Sequence, residues 1–274
     1  MSALEMKERI NRQDISSEEI TEIIIERIEK VNPIINAYCT TTFNLARKMA
    51  KDADNRVKNN EQIRLINGIP TSIKDLNMVK GVRTTFGSKI YENNIPEEDD
   101  IAVNRLRNAG GVFLGKTNTP EFGFKAVTDN LIFGASKNPW DLGKTTGGSS
   151  GGAASVIASG LGPLALGSDA GGSIRLPACL CGVYGLKPSF GRVPFYPKSG
   201  IAASTLAVIG PIVKYVDDAA LMLDVMKGSF EGDRYSLPSD NIKYVEYVEE
   251  KPKKLKIGYT LDLGYAKFVD EQIK

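Results

Sequence analysis

The segment GGSSGG at residues 147–152 is followed by GSDAGGSIR at residues 167–175, and these two stretches decide the fold. Each contains a Gly-Gly-Ser turn, the two turn serines lie 24 residues apart, and the apolar residues 153–159 between them predict a helix. Glycine doublets let backbone N–H groups converge on one point. A serine that ends such a turn presents its hydroxyl beside those donors, as a nucleophile does beside an oxyanion hole. From these residues alone, flexible turns or a phosphate loop remain alternatives.

Outward from this segment, short apolar runs alternate with amphipathic stretches, which is typical of an α/β architecture. The first sixty residues differ and are predicted to be helical. A capping box from Ser16 to Glu19 opens a helix that is expected to end at Pro33, and a second helix is expected at 43–57. Further on, the pattern predicts strands at 70–73, 111–114 and 255–260, and helices at 103–109, at 216–226 and from 269 onward.

The composition excludes several kinds of chemistry. The 274 residues include no histidine, so neither a Ser-His-Asp triad nor an imidazole zinc site is available, and proton transfer falls to Lys, Asp, Glu, Tyr, Cys or water. A net charge of +2 does not favour nucleic-acid binding. Three cysteines without paired spacing favour a reducing compartment, so we expect a cytoplasmic protein. No apolar run is long enough to predict a membrane span.

Residues 110–117 read GGVFLGKT and match the letters of a P-loop, but their physical pattern argues against nucleotide binding. A phosphate cradle needs a polar glycine-rich turn between a strand and a helix. Here the intervening residues 112–114 are themselves predicted to form the strand, and Pro120 follows where the helix should be established. We therefore expect a buried strand with Lys116 at its exit.

More motifs extend along the chain in a fixed order. They are GIPTSIKD at 68–75, TTFGS at 84–88, GKTN at 115–118, NPWD at 138–141 and GP at 210–211. Together with residues 147–193, these pieces resemble the amidase signature family over essentially the whole chain. The resemblance implies an α/β fold with a mixed central sheet flanked by helices. It also implies one domain over residues 1–274, with a helical region at about 1–60 and a catalytic core at about 65–230.

The resemblance further implies a Ser–Ser–Lys triad that cleaves amides through an acyl-enzyme, with no metal or cofactor. Ser173 matches the family's nucleophile, and Lys74 matches its general base. Ser149 matches the bridging serine, which follows a cis peptide bond in the family. The matching oxyanion donors are the backbone N–H groups of Ala170, Gly171, Gly172 and Ser173 itself.

The absence of histidine fits a lysine base, but only if the site lowers a lysine pKa that is normally about 10.4. Taken alone, Lys74 beside Asp75 could equally be a surface ion pair. Ser150 is expected to be a local hydrogen-bonding partner and not the relay. Asp169 and Arg175 bracket the nucleophile turn and are expected to hold that loop.

Two subclasses of the family, which differ in substrate, are the alternatives for this chain. One is a stand-alone amidase acting on a small amide, and the other is the glutaminase subunit of a tRNA-dependent amidotransferase. Residues 119–123, TPEFG, resemble the general amidases and favour the first, with no direct nucleic-acid or membrane contact. Family members are usually longer, so we expect a fold that is incomplete at its C-terminus. A homodimer, a missing C-terminal partner chain and an inactive fragment are the associated alternatives.

Overall fold

The computed structural model describes residues 1–196, 206–248, 250, 254–265 and 271. Within these residues the strands are β1 (Tyr38–Thr41), β2 (Pro70–Lys74), β3 (Val112–Thr117), β4 (Lys137–Asn138), β5 (Asp141–Thr145), β6 (Leu164–Asp169), β7 (Tyr184–Gly185) and β8 (Val208–Val213). The α-helices are α1 (Ala3–Asn11), α2 (Ser17–Ile35), α3 (Phe43–Lys58), α4 (Ile101–Asn108), α5 (Gly151–Ala158), α6 (Arg175–Cys181), α7 (Val216–Met226) and α8 (Tyr244–Tyr247). No helix in the described ranges has the length and apolar character that crossing a membrane requires.

A six-stranded mixed sheet forms the centre of the described structure, with strand order β1-β3-β2-β6-β8-β7. Strand β2 runs parallel to both β3 and β6, whereas β1 and β8 are antiparallel to their neighbours. Strands β2, β3 and β8 are buried at every residue, as expected of strands covered by helices on both faces. The predicted α/β class with a mixed central sheet is therefore confirmed.

The N-terminal region is mostly helical but not entirely so. The predicted capping box is present, because the Ser16 hydroxyl accepts from the Glu19 N–H and the Glu19 carboxylate accepts from the Ser16 N–H. Helix α2 continues past Pro33, since a proline in the last turn removes only one helix hydrogen bond; the left-handed backbone of Asn36 ends it. The prediction of helix throughout residues 1–60 is wrong at β1, which pairs with the edge of β3.

Two elements are predicted near the C-terminus, a strand at 255–260 and a helix from 269 onward. Residues 254–260 form no strand, and Leu255 and Ile257 are exposed, so the strand predicted at 255–260 is wrong. An apolar run becomes a strand only where another strand offers it hydrogen-bond partners, and none pairs with it in the described structure. The helix predicted from 269 onward lies outside the described residues, except for residue 271.

The sheet brings three parts of the sequence to one edge. Because β2 and β6 are parallel neighbours, their last residues, Lys74 and Asp169, lie at the same edge. Each Gly-Gly-Ser turn leads into a helix at this edge: residues 147–150 precede α5, and residues 170–174 precede α6. The two turns and the end of β2 therefore surround a common point.

Candidate active site

Lys74 lies where the two Gly-Gly-Ser turns meet the end of β2, and it is completely buried. Its Nζ donates hydrogen bonds to three hydroxyls: Ser149 Oγ at 2.7 Å, Ser150 Oγ at 2.8 Å and Ser168 Oγ at 3.0 Å. No carboxylate of the described residues lies within ion-pair distance of this Nζ. Burial lowers the pKa of Lys74 to about 7, although the charge of Asp169 opposes this effect. A substantial fraction of Lys74 is therefore neutral at physiological pH and able to accept a proton.

The two adjacent serines have different environments. Ser150 Oγ accepts from Lys74 Nζ and donates to the Ser168 carbonyl at 3.2 Å, so its proton is already in use. Ser149 lines a cavity, and the peptide bond between Gly148 and Ser149 is cis. Of the two hydroxyls, only that of Ser149 faces the cavity while contacting Lys74. Both serines contact Lys74, and the relay role that the resemblance implies for Ser149 stays a prediction.

Ser173 lines the same cavity as Ser149 and is half-buried. Its side chain makes no hydrogen bond to any residue in the described ranges, so its Oγ is unoccupied. The turn that carries Ser173 is held by Asp169, whose carboxylate accepts from the Ile174 N–H at 3.1 Å and from Arg175 Nε and Nη2, both at 2.9 Å. Burial raises the pKa of Asp169, but the hydrogen bonds from Arg175 and the backbone amides outweigh it and lower the pKa to about 2.

The backbone amides around Ser173 are not equivalent. The Gly172 N–H donates to Asp169 Oδ1 at 2.7 Å, so the structure does not offer it to a substrate oxygen. This observation argues against Gly172 as an oxyanion donor. The N–H groups of Gly171 and Ser173 have no acceptor among the described residues, and Ala170 lines the cavity. The donors left from the predicted set are therefore Ala170, Gly171 and Ser173.

Lys116, from the P-loop-like motif, is a second buried lysine. It lies inside β3 and its Nζ donates to the Asn77 carbonyl at 2.6 Å and to Thr84 Oγ1 at 2.7 Å. The same Nζ lies 3.3 Å from Asp75 Oδ1, and both side chains are 1% exposed. Lys116 is therefore committed to protein groups, and it is Lys116, not Lys74, that pairs with Asp75. The surface ion pair considered for Lys74 and Asp75 is absent from the described structure.

Ser149 and Ser173 line one cavity, which is open to solvent. Ser168 and Asp169 complete its polar end. The other lining residues include the polar side chains of Asn77 and Asp100 and the rings of Phe86, Tyr91 and Phe122, none of which the sequence analysis assigned to the site. In the part of the chain that is described, no three acidic or cysteine side chains come together as a metal site would require.

Comparison with known proteins decides the family. The sequence model of the family described as Amidase matches residues 19–273. The chain belongs to the amidase family. This amidase chain is 42% identical over its full length to a glutamyl-tRNA(Gln) amidotransferase subunit of Carboxydothermus hydrogenoformans, of which it covers 58%. It is 43% identical over its full length to an acylamidase of Rhodococcus erythropolis, of which it covers 57%.

Solved structures agree with this membership. The amidase chain superposes on 6-aminohexanoate cyclic dimer hydrolase with a TM-score of 0.87 and 35% identity, over 94% of this chain and 53% of that one. The chain thus spans little more than half the length of the relatives that it matches. Relatives of both subclasses match at nearly equal identity, so the comparisons do not choose between a stand-alone amidase and part of an amidotransferase.

Proposed function

We propose that this chain carries the catalytic centre of an amide hydrolase that cleaves a carbon–nitrogen bond through an acyl-enzyme on Ser173. The observation that carries the proposal is the contact between the buried Lys74 Nζ and Ser149 Oγ at the wall of the cavity. A buried lysine with a pKa of about 7 and only hydroxyl partners is suited to general-base work. The free hydroxyl of Ser173 beside the same cavity supplies the nucleophile.

The reaction proceeds in two steps. With Lys74 neutral, its Nζ accepts the Ser149 proton, and Ser149 Oγ accepts the proton of Ser173. Ser173 Oγ forms a bond to the substrate carbonyl carbon, and the amides of Gly171 and Ser173 stabilise the oxyanion. Ser149 then returns a proton to the leaving nitrogen as the carbon–nitrogen bond breaks and the amine departs. Water, activated by the same groups, hydrolyses the ester on Ser173 and regenerates the enzyme.

Covalent labelling with a fluorophosphonate tests this proposal directly. In this reaction Ser173 Oγ bonds to phosphorus as fluoride leaves, and intact mass reports the adduct. We expect one adduct on the wild-type chain and none on Ser173→Ala, because the serines that contact Lys74 already hold a hydrogen bond from its Nζ and do not stand in the turn that carries the proposed oxyanion donors. A matched control is Ser229→Ala. It removes a hydroxyl that is hydrogen-bonded to Ser239 Oγ and does not line the cavity. An adduct that persists in Ser173→Ala would contradict the assignment.

The rate of labelling should depend on pH through Lys74. Its pKa is lowered to about 7 mainly by burial, and only the neutral form accepts a proton. The rate should therefore rise about tenfold per pH unit below 7 and level off above it. The measurement is the second-order rate constant for labelling between pH 5 and pH 9, corrected for hydrolysis of the probe. A rate constant that does not change between pH 5 and pH 9 would show that Lys74 is not the base, and one that still rises tenfold per unit at pH 9 would show that burial does not lower its pKa.

The second candidate is the glutaminase subunit of an amidotransferase, which the amidotransferase relatives support as the acylamidase supports the first. Ammonia release from glutamine, measured beside hydrolysis of simple carboxylic amides, distinguishes the two functions.

We further propose that residues 1–274 act as one domain and that a second copy or a C-terminal partner chain completes the substrate pocket. Sedimentation at several concentrations tests self-association, and a strictly monomeric chain with full activity would exclude both partners.

A further inference from the structure

Asp100 is a buried acid that lines the same cavity as Ser149 and Ser173. It is 3% exposed and precedes α4 as its N-cap residue, but its side chain does not cap the helix. An aspartate in this position usually accepts a hydrogen bond from a backbone amide of the first turn. Here Asp100 Oδ2 instead accepts from Asn77 Nδ2 at 2.9 Å. The carboxylate is therefore turned away from its own helix, towards Asn77 and the cavity.

Asn77 also lines the cavity and is completely buried. Its backbone N–H donates to the Lys74 carbonyl at 2.9 Å, so it is fixed close to the proposed base. Its Nδ2 is used by Asp100, and its Oδ1 has no hydrogen-bond donor among the described residues. Buried acceptors are nearly always paired in folded proteins, so an unpaired one indicates a partner that the chain does not supply. Asn77 and Asp100 thus place an unpaired acceptor and a carboxylate side by side at one cavity.

The charge of Asp100 has no counter-charge in contact with it. Its neighbour Asp99 pairs with Arg107 at 2.6 Å. Lys116, the nearest cation that acts on Asp100, is held by Asp75 at 3.3 Å. No lysine or arginine of the described residues lies within ion-pair distance of Asp100 itself. Burial accordingly raises the pKa of the Asp100 carboxyl to about 7, although its hydrogen bonds and the charge of Lys116 oppose this effect.

The cavity lining as a whole carries negative charge. Among the described residues its charged side chains are Asp100 and Asp169, and Asp169 is already paired with Arg175 at 2.9 Å. No lysine or arginine of the described ranges lines this cavity. The rings of Phe86 and Tyr91 line it as well, and the face of an aromatic ring attracts a cation. The cavity therefore favours a positively charged group and disfavours a carboxylate.

We propose that Asp100 and Asn77 form a subsite for a cationic N–H donor, so that the preferred substrates are amides that also carry an ammonium group. That the bound amide is cleaved in this cavity rests on the function proposed above. An ammonium group has three N–H donors, enough for the Asp100 carboxylate and Asn77 Oδ1 together. A methyl group of similar size offers neither the charge nor a donor, so selectivity between the two reports on the subsite itself.

A matched pair of amides measures this selectivity. γ-Aminobutyramide and pentanamide have the same length and differ only in an ammonium group in place of a methyl group. Each is added as a ligand that slows fluorophosphonate labelling of Ser173 at pH 8, where the Asp100 carboxyl is mostly ionised. We expect γ-aminobutyramide to halve the labelling rate of the wild-type chain at a concentration about 5- to 50-fold lower than pentanamide. β-Alaninamide against butanamide repeats the comparison with a shorter chain.

Two aspartate variants form a matched pair. Asp100→Asn removes the charge but keeps an acceptor for Asn77 Nδ2, and it should make the two concentrations nearly equal. Asp99→Asn makes the same change at the neighbouring residue, which does not line the cavity, and should retain the wild-type preference. Asn77→Leu removes the unpaired acceptor and should reduce the preference. If Asp100→Asn does not fold, Asn77→Leu takes its place in the comparison.

The outcomes separate this inference from the proposed function. Equal protection by the two amides, or a preference that persists in Asp100→Asn or its substitute, would overturn the subsite and leave the hydrolase proposal standing. A folded wild-type chain that no fluorophosphonate labels would overturn the proposed function. In that case, binding of the two amides, measured by saturation-transfer NMR, still tests the subsite. Preferential binding of γ-aminobutyramide that is lost in Asp100→Asn supports the subsite, and equal binding overturns it.

Discussion

Replacement of Lys74 by methionine is expected to slow fluorophosphonate labelling of Ser173 by about 10²- to 10⁴-fold, the usual contribution of a general base. Methionine has a similar length but no proton acceptor in place of Nζ, which contacts Ser149 Oγ at 2.7 Å. The residual rate should also lose its inflection near pH 7, because the group whose pKa is about 7 is gone. The measurement is the second-order rate constant at pH 8, followed by its pH profile.

The stability of Lys74→Met shows whether slow labelling reflects loss of the base or loss of the fold. Lys74 is completely buried and has hydroxyl partners but no ion-pair partner in the described structure, so removing it also removes a desolvated amine. One of those three hydroxyls keeps another partner, because Ser150 Oγ still donates to the Ser168 carbonyl, and the other two, on Ser149 and Ser168, line the cavity. We therefore expect an unchanged or higher melting temperature. Lys51→Met, at an exposed position on α3, serves as the control. Labelling of Lys74→Met at the wild-type rate would exclude Lys74 as the base.

The sequence located the main residues of the candidate site through the resemblance to the amidase signature family, and their positions at the ends of regular elements agree with the structure. Lys74 closes a buried run that was predicted to be a strand, and both serines follow glycine doublets, whose backbone freedom makes them recognisable as turns. The absence of histidine then restricted the choice of base. Such local signals survive without coordinates, since they depend on residue type and spacing within a few positions.

The remaining features of the site depend on contacts between distant residues. Ser168 accepts from Lys74 across 94 positions of sequence, and its only local signal was its place beside Asp169. The loss of Gly172 as an oxyanion donor depends on where the Asp169 carboxylate points. The rings of Phe86, Tyr91 and Phe122 line the cavity, although their spacing in the sequence shows no periodicity. In the fold, β1 was missed for the same reason, because a four-residue edge strand is specified mainly by its partner β3.

Replacement of Lys116 by methionine should lower the free energy of unfolding by about 3–5 kcal/mol, the cost of removing one partner from a buried ion pair. The Asp75 carboxylate would then remain 1% exposed without its counter-charge, and the Asn77 carbonyl and Thr84 Oγ1 would lose their donor. For a chain of this size, about 2–4 °C is lost per kcal/mol, so the melting temperature should fall by roughly 6–20 °C. Thermal and urea denaturation followed by circular dichroism measure both quantities.

A double-mutant cycle assigns this loss to the ion pair. Asp75→Asn keeps an acceptor for the Thr85 N–H and hydroxyl but removes the charge, so Lys116→Met combined with Asp75→Asn should cost less than the two single changes together. Strict additivity would show that Asp75 does not depend on Lys116.

Comparing Lys116→Met with Lys74→Met is a sharper test than the cycle, because the two lysines lie on adjacent parallel strands, with Lys116 opposite Ile73. If Lys74→Met lowers the labelling rate but not the stability, while Lys116→Met lowers the stability, the difference follows from their partners: Lys74 Nζ contacts only hydroxyls, and Lys116 Nζ pairs with a buried carboxylate.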